Sequence, residues 1–326
     1  MKKIAIIMAL NLLASPVLSA VEENDRLYHF IENMANKHQF DRDKLKQLLD
    51  QVEIKQSILK AISRPAEGMP WYKYRKIFLT DSRIKGGVKF WQQNQQVLTE
   101  VEQQYGVPAE IMIAIIGVET RYGQNTGSYR VIDALSTLGF AYPKRSKFFL
   151  SELENFLILA RQEKMNPLEP VGSYAGAMGM PQFMPSSYLS YAADFDQDGK
   201  RDIWNNTGDV LASIANYFNR HHWQKGEPVA FKVEASGEQW KKALTKGLKP
   251  DVSVKQLKGW QVRVPESLAD DVRVKLLDFE QPEGQDLWVG LNNFYVITRY
   301  NHSPLYAMAV YQLSQAIARE YRTTTP

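Results

Sequence analysis

The chain has 326 residues, 44% of them hydrophobic, no cysteine and a formal net charge of +4. This composition fits a globular protein of two or three domains with sizeable cores, and it excludes disordered and fibrous classes. It also excludes a disulfide framework, a thiolate metal site and a cysteine nucleophile, while the charge is too mild to argue for nucleic acid and would suit a weakly anionic polymer.

The first twenty residues, "MKKIAIIMALNLLASPVLSA", carry two lysines, an apolar run, then Pro16 and small residues. That is the pattern of a secretory signal peptide, with cleavage expected near Ser19 or Ala20. The run is too short for a comfortable membrane span, which leaves an uncleaved anchor as the lesser alternative. No cysteine stands at the junction to carry a lipid. An exported chain without disulfides points to a bacterial periplasm.

Residues 21–82 read as a helical region. Leu27, Phe30, Ile31 and Met34 form one apolar stripe, and Asp41 is placed to cap a following amphipathic turn. The stretch "RPAEGMPWYKYRKIF" breaks the pattern with two prolines and a glycine. A long helix is predicted from Arg83 to Tyr105, ending at Gly106, with the next helix starting at Pro108. Residues 128–165 read as more helix, a Gly/Ser/Pro-rich loop "GSYAGAMGMPQFMPSSY" follows, and the helical pattern resumes in "DVLASIANYFNRH". These elements make a core over 83–226. From 227 to 294 β-branched residues alternate with polar ones between glycines and prolines, predicting a small β-rich domain. Helix returns at Ser303, so residues 295–326 rejoin the helical core. The fold class is mainly α with a β-rich insert (α+β).

Two stretches carry chemistry. In "PAEIMIAIIGVETRYG" apolar residues cover almost the whole helix circumference, so the helix is buried and Glu119 sits at the edge of the buried part. Desolvation there raises a carboxyl's pKa and keeps it protonated near neutral pH, the state a general acid needs. The competing reading pairs Glu119 with Arg121 or another cation at the helix end. The second stretch is "DFDQDGKRDIWN", 194–205, which matches a calcium loop. Asp194, Asp196 and Asp198 occupy positions 1, 3 and 5, Gly199 the sharp turn, Lys200 offers its carbonyl, and Asp202 falls at position 9. Asn205 replaces the usual bidentate Glu at position 12, and Asp209 is placed to supply the missing oxygen. The competing reading is an acidic surface turn. In the Gly-rich loop, closely spaced glycines permit close backbone approach, and Ser173, Gln182 and Ser186 are polar groups suited to sugar hydroxyls or N-acetyl groups. Tyr74, Tyr217, Tyr300 and Tyr306 fit a core or a sugar-stacking groove equally well.

The motifs "IIGVETRYG", "GSYAGAMGMPQFMPSSY", "DFDQDGKRDIWN" followed by "IANYF", and "ITRYNHSPLYAMAVYQL" resemble, in content and order, those of the lytic transglycosylases of the membrane-bound lytic transglycosylase B family. That resemblance implies a lysozyme-like core flanked by a helical domain and a small β domain. It implies cleavage of the β-1,4 bond between N-acetylmuramic acid and N-acetylglucosamine in peptidoglycan, without water, leaving a 1,6-anhydromuramoyl end. Glu119 becomes the single catalytic acid and base. Ser173 and Gln182 become groove residues near it, with Ser173 orienting the N-acetyl group. Tyr74, Tyr217, Tyr300, Asn301 and Tyr306 match groove residues. Lys144 and Arg145 in "YPKRSKFF" fall where basic residues face the glycan and its peptide, although Lys144 stands where the family can have Arg, which forfeits a bidentate contact.

A structural Ca²⁺ is the one cofactor implied. Peptidoglycan strands are the partner, with cell-wall synthesis or remodelling proteins as further candidates, and the chain is expected to be a soluble periplasmic monomer. Two rival readings stay open. One is a hydrolytic muramidase on the same fold, using water and a second carboxylate. The other is a catalytically inactive, calcium-stabilised wall-binding protein.

Overall fold

The computed structural model describes residues 16–63 and 68–324, with side chains described from Asp25 onward. Residues 1–15 of the predicted leader, and with them most of the signal-peptide reading, lie outside the described residues. The elements run, in chain order, α1 (Pro16–His38), α2 (Arg42–Leu49), α3 (Gln56–Ile62), α4 (Trp71–Phe78), α5 (Asp81–Gln93), α6 (Gln95–Tyr105), α7 (Ala109–Thr120), β1 (Tyr129–Arg130), α8 (Val131–Ala141), α9 (Ser146–Gln162), β2 (Val171–Gly172), α10 (Pro185–Tyr191) and α11 (Thr207–Arg220). They continue with β3 (Ala230–Ala235), β4 (Val252–Ser253), α12 (Val254–Gly259), β5 (Val262–Arg263), β6 (Arg273–Glu280), β7 (Gln285–Gly290), α13 (Asn292–Tyr300) and α14 (Pro304–Thr324).

Local chemistry explains most of these boundaries. Asp41 accepts from the Lys44 N–H at 3.0 Å, so it caps α2 as its position predicts. Gly106 closes α6 in the left-handed conformation, and Pro108 leads into α7. The predicted Arg83–Tyr105 helix is in fact two, α5 and α6, parted at Asn94. The Asn94 side-chain amide donates to the Phe90 carbonyl at 2.8 Å, beside the residue's own N–H, and this local bond competes with continuing the helix. Of the stretch read as a break, "RPAEGMPWYKYRKIF", residues 64–67 lie outside the described residues and Trp71–Phe78 form α4, because Pro70 stands just ahead of the first turn, where no N–H is needed.

Helices α5, α6, α11 and α14 pack around α7, whose residues from Ala109 to Val118 are buried except Glu110. The antiparallel sheet runs in the order β4-β6-β7-β3-β5. One face of β6 (Val274, Leu276) joins Val289 and Leu257 in a small second core. The other face (Leu277, Phe279) enters the main helical core, where Phe279 meets Trp71 at 5.2 Å between centroids. Burial on both faces explains why β6 is more apolar than simple alternation requires. Helix α13 starts at Asn292, inside the stretch read as β-rich. Buried Asn293 fixes that start by bonding the Gln224 and Glu227 carbonyls at 2.8 and 2.9 Å. Among the described residues no helix is long and apolar enough to cross a membrane.

Candidate active site

Glu119 lies in the last turn of α7, and the chain then makes a left-handed turn through Arg121, Tyr122 and Gly123. Two non-glycine residues in that conformation store strain, so the surroundings must hold them. The Tyr122 ring fits against Gly86, Gly87 and Gly117, where a Cβ would come within 2.8 Å of it, and its hydroxyl donates to the Arg83 carbonyl at 2.6 Å. The Arg83 guanidinium donates back to the Gly117 carbonyl. The end of the helix carrying Glu119 is thus clamped from α5. Sequence reasoning missed Arg83; a lone arginine three residues after a Thr cap carries no signal of its own.

The predicted competing partner, Arg121, is exposed, and among the described residues no ion pair joins it to Glu119. The acid's partner is Tyr306 on α14, whose hydroxyl donates to Glu119 Oε1 at 2.5 Å. Burial raises the Glu119 carboxyl from 4.5 to about 7, with the Tyr306 hydrogen bond pulling the other way. Near neutral pH the group therefore holds its proton for much of the time and can also give it up. Tyr74, Tyr300 and Tyr306 all have hydroxyls pushed up by burial and, secondarily, by the Glu119 charge, which places these three rings around the acid. Replacing Tyr306 by Phe removes a bond that favours the carboxylate. The alkaline limb of the pH–rate profile should move to higher pH, and kcat should fall roughly tenfold for loss of one charge-assisted bond; rates measured from pH 5 to 9 check both.

The remaining predicted groove residues divide. Ser173 Oγ accepts the Ala175 and Ala177 N–H groups at 3.3 and 3.1 Å, which leaves its proton as the interaction still to be made. Gln182 donates from Nε2 to the Thr126 and Gly179 carbonyls at 3.1 and 2.9 Å, leaving its amide oxygen. Thr120 Oγ1 donates to the Met180 carbonyl at 3.1 Å, so the Gly-rich loop is tied directly to the end of α7. Tyr300 donates to the Pro181 carbonyl at 2.6 Å and braces the same loop. Tyr217 is buried, spends its hydroxyl on the Arg299 carbonyl at 2.5 Å and sits 4.9 Å from the Tyr300 ring, so it is packing behind the site. Ser186 is a correction: its hydroxyl and N–H both bond the buried Glu152 carboxylate, at 2.7 and 2.9 Å, and serve the start of α10. Lys144 and Arg145 stand exposed on a short 3-10 turn, Arg145 lying 4.4 Å from the centroid of Phe148. Asn301 is exposed at the end of α13, its carbonyl accepting from Ser303 at 2.7 Å. None of these three bonds to the residues around Glu119.

In the acidic loop, Gly199 takes φ +88° at the sharp turn. Carboxylate oxygens of Asp194, Asp196 and buried Asp209 lie within 4.8 Å of one another. Asp209 is positioned from α11, whose N-terminus Asn206 caps, and it accepts the Phe195 and Asp202 N–H groups at 2.7 Å each. Of the other predicted ligands, the Asp202 carboxylate accepts the Trp204 and Asn205 N–H groups at 2.9 Å each and bonds the Asn205 amide. Asp198 accepts the Lys200 N–H at 2.8 Å. A converging set of hard oxygens suits Ca²⁺ in its chemistry.

Comparison with known proteins agrees with this geometry. Residues 22–315 match the Transglycosylase SLT domain family. The chain is 44% identical over 305 residues to membrane-bound lytic murein transglycosylase B of Escherichia coli, covering 90% of this chain and 83% of the relative. Among solved structures, soluble lytic transglycosylase SltB1 from Pseudomonas aeruginosa is similar at 51% identity and a TM-score of 0.87, covering 90% of this chain and 99% of that one. The Escherichia coli lytic transglycosylase Slt35, solved in complex with calcium, is similar at 44% identity and a TM-score of 0.83, covering 90% of this chain and 93% of that one. With its acid at the end of a buried helix and this degree of likeness over nine-tenths of its length, the chain belongs to the lytic transglycosylase family.

Proposed function

We propose that this lytic transglycosylase cleaves the β-1,4 bond between N-acetylmuramic acid and N-acetylglucosamine with Glu119 as the sole acid and base, leaving 1,6-anhydromuramoyl ends. The observation that carries this reading is the isolation of Glu119. Its proton affinity is set by burial and by Tyr306, with no second carboxylate among its perturbers. Hydrolytic glycosidases need a partner carboxylate about 5–10 Å away to act as nucleophile or to activate water, whereas the side chain bonded to Glu119 is the Tyr306 hydroxyl.

Protonated Glu119 donates its proton to the leaving glycosidic oxygen. Positive character grows at the muramoyl C1 and is relieved by that sugar's own N-acetyl oxygen, towards which Ser173 offers its free proton. The Glu119 carboxylate, held by the Tyr306 hydroxyl, then takes the proton from the C6 hydroxyl as O6 bonds to C1. Glu119 ends protonated, ready for another cycle. Gln182 and the rings of Tyr74, Tyr300 and Tyr306 position the sugars; Lys144, Arg145 and Asn301 serve the outer groove and the peptide. Mass spectrometry of muropeptides released from purified sacculi tests the reading. Products one water lighter than reducing-end muropeptides are expected, and reducing ends would instead establish a hydrolase.

The acidic loop is read as a structural Ca²⁺ site held by Asp194, Asp196 and Asp209, with Asp198 and the Lys200 carbonyl available to it. A bound Ca²⁺ would offset two of the three negative charges and pin the loop to α11. Chelation should lower Tm by several degrees at low ionic strength while leaving the initial rate nearly unchanged, because binding to the folded state alone adds RT ln(1 + [L]/Kd). An unchanged melting curve would remove calcium from this account. The leader-like residues 1–20 support a periplasmic location for the mature chain.

A further inference from the structure

A cavity of about 870 Å³ opens between the end of α11, the start of α13 and the five-stranded sheet. None of the residues placed around Glu119 lines it. Its walls carry His221 and His222, which follow α11, Lys249 ahead of β4, and Arg273 at the start of β6, with Tyr295 from α13. Glu227 is the one carboxylate on this lining.

The basic groups here are not spent on acidic neighbours. Lys249 makes no hydrogen bond or ion pair among the described residues, and Arg273 donates only to a backbone carbonyl, that of Asp251. Behind the lining, Arg299 lies 4.2 Å from the centroid of the Tyr295 ring, again without a carboxylate partner. Burial is the main influence lowering the proton affinity of His221, with the Tyr217 carbonyl opposing it and the Arg299 guanidinium adding to it. A concave surface lined by Lys249 and Arg273, with Arg299 behind it and Glu227 as the one opposing charge, concentrates anions. The cleft also adjoins the catalytic region. His221 stacks on Tyr217 at 4.2 Å, and Tyr217 meets Tyr300 at 4.9 Å, the ring that feels the Glu119 charge.

We propose that this cleft binds a carboxylate-bearing peptide stem of peptidoglycan, holding wall material beside the strand being cut. The inference rests on the peptidoglycan reading above, since the peptide stems supply the carboxylates of that polymer. It gives the junction with the β-rich region a task in substrate capture, separate from bond cleavage.

The test uses the full mature chain and free stem peptide released from sacculi by an amidase, titrated by calorimetry. Lys249→Glu, at an exposed side chain with no partners to lose, should weaken binding about tenfold and flatten its salt dependence, as expected for reversing one charge in the site. Lys249→Arg should bind like the parent, and Lys144→Ala should leave this binding event in place. Turnover of short peptide-free glycan strands should be the same for Lys249→Glu and the parent. Equal affinity of Lys249→Glu and the parent for the stem peptide overturns the proposal. So does full displacement of the peptide by equimolar inorganic phosphate, which marks a site for any anion. The titration does not depend on turnover, so absence of anhydromuramoyl products would defeat the catalytic reading and leave this result separately legible.

Discussion

Glu119→Gln should reduce the release of anhydromuramoyl products by about 10³–10⁴-fold, with glycan binding retained. The amide can neither donate a proton to the leaving oxygen nor take one from the C6 hydroxyl, and general acid–base catalysis contributes on this scale. Turnover within tenfold of the parent would end the assignment. The same variant carries a stability signature. Burial raises the carboxyl from 4.5 to about 7, so the folded state binds the proton more tightly than the unfolded chain. The stability this contributes is complete below about pH 4.5 and is lost as pH rises through about 7. At about 1.4 kcal/mol per pKa unit, the ionised group costs the fold on the order of 3 kcal/mol at pH 8. Glu119→Gln should therefore melt several degrees above the parent at pH 8 and level with it at pH 4. A Tm difference that does not change with pH would show that the carboxyl is not desolvated. The residue is kept for chemistry at the expense of stability, as expected of a strained site.

The second large effect is structural. Gly127 has φ +99°, and a Cβ there would lie 2.0 Å from the Gly172 carbonyl oxygen and 2.5 Å from the Ser173 nitrogen. Both are backbone atoms with no rotamer to yield, so Gly127→Ala must part the segment after α7 from the Gly-rich loop. Overpacking and a left-handed alanine together should cost roughly 3–5 kcal/mol, or about 10 °C in Tm. The rate should also fall, because Ser173 moves with the backbone. Gly226→Ala is the control. Its φ is +79° but nothing lies within 4 Å, so only the conformational cost of about 1–2 kcal/mol remains. Similar melting temperatures for the two variants would contradict the close approach.

Much of the site was legible in the chain itself. An unbroken apolar circumference ending in a carboxylate fixes burial and hence protonation of Glu119, because both follow from composition within one helix. The acidic loop is legible for a similar reason: Asp194, Asp196, Asp198 and Asp202 are spaced along one short stretch of chain. Helix starts at Asp41 and after Pro108 are local matters of capping and φ. Helical periodicity, by contrast, could not locate the parting at Asn94, where a side-chain bond competes with the backbone, nor foresee that Pro70 leads into a helix at Trp71.

What the tertiary structure alone decided is the identity of partners distant in sequence. Arg121 is two residues from Glu119, yet the acid is held by Tyr306, 187 residues away. The left-handed turn sends the Arg121 side chain outward, while α14 crosses α7 and delivers a hydroxyl. Ser186 reads as a sugar ligand until buried Glu152 claims both its polar groups, and Tyr217 reads as a groove residue until Arg299 claims its hydroxyl. Asp202 and Asn205 fit a loop template by spacing, while the fold engages the Asp202 carboxylate with backbone N–H groups of its own turn and brings Asp209 on the next helix within 4.8 Å of Asp194 and Asp196. Sequence reveals which residues have chemistry to offer. Only packing across long loops determines which of their donors and acceptors are already engaged, because a buried polar group bonds whatever the fold brings within reach.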